Sequence, residues 1–185
     1  MKILDRLPYS AEHRTIMVRG EPVQVRPYQI VIWISVSIAR LHEWDPRTPA
    51  FPAILDPGNN FNFSVFQSQL VRWAGIQPAL LKFLGRIKEG GKHYPRHAAD
   101  VWLHRNKRGS HDLRPDQTPY RLVLRRGLAL YPDVPDRVPP LPLLGLRALT
   151  ENQLHTLIDG ERREVSAHTP SRTASLLRML RLPPF

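Results

Sequence analysis

The sequence predicts a mainly β domain with two or three short helices. Ile30, Ile32, Ile34, Val36 and Ile38 recur with strict period two, the signature of a strand with one face in a core. Phe51-Pro52-Ala53-Ile54-Leu55 is an unbroken apolar run that stops abruptly on Asp56-Pro57-Gly58, as a buried strand entering a tight turn does. The remaining apolar stretches are short and separated by turn residues, and no repeat of 20 to 50 residues appears.

The elements follow in chain order. Val23-Gln24-Val25-Arg26-Pro27-Tyr28 leads into the first strand, whose second face carries Trp33, Ser35 and Ser37. The turn-rich stretch Leu41 to Pro49 connects it to the run ending at Asp56, and two strands joined this way predict an antiparallel pair. Asn60-Phe61-Asn62-Phe63 then alternates polar and aromatic. Ser64 stands where an N-cap would, before a helical face of Val65, Phe66, Gln69, Leu70 and Trp73, and Gly75 supplies the stop. Leu80 to Ile87 and Ala98 to Leu103 read as two apolar arms around Lys88-Glu89-Gly90-Gly91-Lys92, whose adjacent glycines suit a hairpin tip.

Asn106 to Thr118 is polar and broken by Gly109 and Pro115, hence a loop, and Tyr120 to Tyr131 reads as strand, Gly127-marked turn, strand. Pro132 to Pro142 holds five of the 19 prolines and predicts an extended connector. It delivers the chain to Leu143-Leu144-Gly145, a short helix, and a closing strand and turn, Leu154-His155-Thr156-Leu157-Ile158-Asp159-Gly160. Ser171 to Leu182 places Leu176, Leu177 and Leu180 on one helical face among arginines.

Composition narrows the function. A chain of 185 residues buries a sizeable core without staples, and with no cysteine neither disulfides nor thiolate chemistry is available. The longest apolar run, Ile30 to Ala39, is half of the ~20 residues a membrane helix needs. The amino-terminal residues lack the apolar core of a secretory signal, so a cytoplasmic location is the simplest expectation. Lys plus Arg number 27 against 16 Asp plus Glu, a net charge of +11 that attracts nucleic acid or other anionic partners at long range without showing that any binds. His93 and His97 flank Pro95, and with His104 and His111 they form no zinc spacing. Glycine loops for nucleotides and the Gly-x-Ser-x-Gly turn are both missing.

Two stretches, in this order, resemble the signatures of retropepsin-like aspartic peptidases. The first is Phe51 to Asn60 with Asp56-Pro57-Gly58 at its centre. The second is Leu141 to Leu149, with Leu143, Leu144 and Gly145 before a helix; the closing strand behind it is also similar. The resemblance covers roughly Gln24 to Ala167. It implies a closed, single-lobe β-barrel over residues 23–168, with 1–22 as an amino-terminal extension and 169–185 as a tail. It further implies Asp56 as the catalytic acid, Asn59 and Asn60 beside it, and a flap tipped by Glu89, Gly90 and Gly91.

No cofactor is implied. Because peptide hydrolysis of this kind needs two carboxylates sharing a proton and the chain offers one such element, the resemblance implies a homodimer acting on a peptide or protein substrate. The family carries Thr or Ser where this chain has Pro57, which lacks both the hydroxyl and the backbone N–H that link the subunits there. Two readings therefore stand side by side: an active endopeptidase, and an inactive relative serving as a dimerisation or peptide-binding module.

Overall fold

The computed structural model describes residues 1–39, 43–135 and 139–170. Its strands are β1 (Lys2–Pro8), β2 (Arg14–Val18), β3 (Glu21–Val25), β4 (Ile30–Ile38), β5 (Phe51–Asp56), β6 (Phe63–Phe66), β7 (Phe83–Glu89), β8 (Lys92–His97), β9 (Ala99–Leu103), β10 (Tyr120–Leu122), β11 (Leu128–Tyr131), β12 (Leu143–Gly145), β13 (His155–Asp159) and β14 (Glu164–His168). Among the described residues two α-helices accompany them, α1 (Gln67–Ala74) and α2 (Leu146–Glu151), with one 3-10 turn at Pro78–Leu80. The mainly β class is as the sequence predicts.

The described residues form three sheets: β1-β14-β13, β2-β3, and nine strands in the order β10-β9-β4-β5-β12-β6-β11-β8-β7. The nine-strand order is open, since β10 and β7 at its ends do not pair with each other among the described residues. β4 and β5 are the expected antiparallel pair, Ile30 opposite Leu55 and Ile34 opposite Phe51. β4 is nonetheless buried on both faces along much of its length, with Ser35 fully enclosed, and β9 pairs along its other edge. Ser35 is satisfied there by a 2.8 Å hydrogen bond with His104 Nε2, so a polar residue on the second face did not mean a solvated face.

Burial explains β5 as well. Phe51 to Leu55 are all buried, between β4 and β12, and each large side chain so enclosed contributes roughly 1.5–3 kcal/mol. Phe51, Phe63, Ile32, Leu70, Leu128 and Leu144 join one contiguous core. Ile3, Leu4 and Leu7 belong to the same core, so the first 22 residues supply β1, β2 and the start of β3, and β3 runs across the expected 22/23 boundary.

Three local expectations need correction. Ser64 does not cap a helix; it is buried in β6, which continues to Phe66 because its residues pair with β11 in parallel and with β12 antiparallel. α1 starts one residue later, and its free amide at Ser68 is met by Asp133 Oδ2 at 3.0 Å, a cap from distant sequence. The glycine-tipped hairpin pairs β7 with β8, not with the Ala98–Leu103 arm, which is β9 and pairs with β4 and β10. Likewise β10 and β11 do not pair with each other across Gly127; β11 lies between β6 and β8. The amphipathic stretch Ser171 to Leu182 lies outside the described residues.

Candidate functional site

Asp56 is the last residue of β5, where the buried run meets solvent. One carboxylate oxygen, Oδ1, accepts a 2.9 Å hydrogen bond from the Gly58 amide, and the Asp56 carbonyl accepts another from the Asn59 amide at 3.0 Å. Asn59 Oδ1 in turn accepts from the Phe61 amide at 2.9 Å. These bonds fix the turn 56–61 and leave Oδ2 of Asp56 without a protein donor among the described residues. Pro57 is exposed and contributes no donor.

The second motif is laid directly against the first. β12 runs parallel to β5, Leu143 beside Ile54 and Gly145 beside Asp56, and antiparallel to β6 on its other side. The Gly145 amide donates to the Asn62 carbonyl at 3.0 Å and the Leu146 amide to the Asn59 carbonyl at 2.9 Å, so the turn bearing Asp56 is tied to the start of α2. Strand β12 therefore lies between two strands that precede it by some eighty residues in sequence.

A cleft of about 520 Å³ opens at this junction. Asp56, Gly58, Asn59 and Asn60 line one part, Pro140 to Leu143 another, and Ser64, Phe66, Tyr131 and Glu89 a third. Its walls are mostly apolar, with Asp56 and Glu89 as the two acids. The hairpin tip thus reaches the cleft through Glu89; Gly90 and Gly91 beside it have φ of 53° and 80°, a backbone that glycine adopts freely. Tyr131 Oη donates a short hydrogen bond to Glu89 Oε2 and packs 4.4 Å, centroid to centroid, from Tyr94 of β8. Burial and the bond to Glu89 push the Tyr131 phenol well above its ordinary range, so it is a neutral donor.

Of the residues the sequence singled out, Asp56, Gly58, Asn59, Asn60, Leu143 and Glu89 line one cleft; Leu144 and Gly145 are buried beneath it. Tyr131, Phe66 and Pro140 lie outside the candidate residues, whereas Leu141 and Pro142 open the second stretch on which the resemblance rests. The proline-dense connector carried the only legible signal, since it leads straight into Leu143. Among the described residues no cluster of three His, Asp or Glu side chains is placed to hold a metal ion, and no helix is long and apolar enough to cross a membrane. Comparison of the chain with protein-family models, curated proteins and solved structures finds no match.

Proposed function

We propose that the chain is a retropepsin-like aspartic endopeptidase in which two copies bring their Asp56 side chains together on a two-fold axis. The single observation carrying this reading is the Asp56 carboxylate, anchored by the Gly58 amide at the mouth of a mostly apolar cleft that a glycine-tipped hairpin reaches. The strand arrangement β5-β12-β6 around it supports the reading.

The chemistry follows from two carboxylates holding one proton between them. The ionised Asp56 takes a proton from water as the water oxygen attacks the peptide carbonyl carbon. The protonated Asp56 of the other subunit gives its proton to the carbonyl oxygen. Collapse of the tetrahedral intermediate breaks the C–N bond as the first Asp56, now protonated, gives its proton to the leaving amine and the other Asp56 takes one back from a hydroxyl of the intermediate, which restores the shared proton. The apolar walls suit the side chains of an extended peptide.

A second reading rests on Pro57. Without the hydroxyl and amide of Thr or Ser, the subunits lose a symmetric set of hydrogen bonds worth about 0.5–1.5 kcal/mol each. The same cleft then binds an extended strand and does not cut it. Digestion of an unstructured peptide library at acid pH decides between the two: the active reading requires cleavage by the wild type and none by Asp56→Asn. Equal cleavage by both, or none by either, removes it. Activity that appears only in Pro57→Thr establishes the second reading.

A further inference from the structure

β13 is an edge strand, met among the described residues outside its own hairpin by the Tyr9 hydroxyl, which donates to the Asp159 carbonyl at 3.4 Å. In the sheet β1-β14-β13 it pairs only with β14 among the described residues, from His155 opposite His168 to Asp159 opposite Glu164. The other edge of that sheet is occupied: the Asp5 carbonyl of β1 accepts from the Gly109 amide and from Asn106 Nδ2, each at 3.0 Å, and the Lys2 carbonyl accepts from Arg105 Nη1. On β13, by contrast, Leu157 is 65% exposed and Ile158 46% exposed, one on each face of the strand. An open edge bearing exposed apolar residues, with neither proline nor lysine to blunt it, is a template for strand pairing.

The sequence of the strand names its occupant. We infer that β13 pairs antiparallel with β13 of a second copy, centred on Leu157. In that register Leu157 meets its own counterpart, Thr156 meets Ile158, and His155 of each copy meets Asp159 of the other. A two-fold interface demands such self-complementarity, and His155-x-Leu157-x-Asp159 has it on one face: an apolar centre flanked by opposite polar partners. Asp159 Oδ1 accepts from the Arg162 amide at 3.0 Å, which holds the carboxylate in place at the strand end. His155 stacks on His168 of β14 with centroids 5.3 Å apart and planes 16° from parallel, which fixes the other member.

This inference rests on the homodimeric reading of Asp56 and gives it a physical seam. Pairing of two five-residue strands falls short of the ~1,200–2,000 Å² that a stable association buries. Further apolar surface is available at Leu146, 45% exposed at the start of α2, the helix immediately preceding β13. The six-stranded sheet β1-β14-β13 continued into its copy leaves no open edge at the seam.

The chain contains no cysteine, which makes the test clean. Directly opposed residues of an antiparallel pair have Cα atoms about 4.5–5.5 Å apart, within disulfide reach. Under mild oxidation Leu157→Cys should give a covalent dimer that reductant reverses, whereas Met17→Cys, equally exposed on β2, should not. Leu157→Lys, which sets like charges face to face, should raise the dimer dissociation constant about tenfold or more, read by sedimentation.

A dimer that shows no Leu157→Cys cross-link and is unmoved by Leu157→Lys overturns the β13 seam while leaving paired Asp56 carboxylates intact. A cross-linking dimer whose peptide cleavage is the same in wild type and Asp56→Asn does the reverse. A monomer at every concentration overturns both, and an edge taken up by another protein or peptide instead of a second copy gives that monomeric result with the purified chain.

Discussion

Gly145 shows how little freedom the second motif has. A Cβ at that position would run into the backbone carbonyl oxygens of Phe61 and Asn59, neither of which is the yielding end of a side chain. Gly145→Ala should therefore cost about 3 kcal/mol, the upper part of the overpacking range, and lower the midpoint of urea unfolding accordingly. His104 adds a pH dependence. Burial against Trp44 and Ser35 lowers its pKa to about 4 from an ordinary 6.5, so the folded state disfavours the imidazolium.

Between those values the unfolded chain binds the proton and the folded chain does not, so stability falls as pH drops from 6.5 toward 4 and levels off below. The loss is about 2 kcal/mol once partial exposure is allowed for, and His104→Gln should flatten this part of the stability curve. A peptidase working in acid would carry that cost. The turn at Asp56 and Gly58 was legible in the sequence because a buried apolar run stops there on an acid, a proline and a glycine. His104 was not, since its partner Ser35 lies on a distant strand and only the β4–β9 pairing brings them together.

At the scale of elements, the hairpin β7–β8 is the piece best suited to move. Most of its residues are exposed or half-exposed, and its tip is fastened to the cleft wall by the Tyr131–Glu89 hydrogen bond. Tyr131→Phe keeps the ring against Tyr94 and removes that fastening. Amide exchange across residues 88–92 should then quicken several-fold with the midpoint of global unfolding nearly unchanged; an unchanged exchange rate would show that the tip is held by other means. The tip was legible from Gly90-Gly91 and β7 lies largely within the first arm, Leu80 to Ile87, but β8 was not legible. Pro95 and the polar residues Lys92, His93 and Arg96 hide β8 from a search for apolar alternation, which moved the second arm on to β9. The helix after β6 was displaced for a related reason: Ser64 is a good cap by composition, yet pairing on both sides of β6 outweighs local propensity there.

At the scale of the molecule, topology was the least legible feature. Which strands adjoin in the nine-stranded sheet depends on contacts between Phe51–Phe66 and Leu128–Gly145 that leave no local mark in the sequence. The parallel alignment of β12 with β5 is such a contact, and it is what places Gly145 beside Asp56. The site is consequently a property of the whole chain, and in the reading proposed here it is completed only by a second copy. That claim is tested most directly by the specific activity of the wild type and of Asp56→Asn toward one cleavable peptide, measured at acid pH across a wide range of protein concentration. The account predicts cleavage per chain that climbs with concentration to a plateau as dimers form, and none from Asp56→Asn at any concentration. Cleavage per chain that stays constant down to dilutions where the protein is monomeric, or that survives Asp56→Asn, would contradict it.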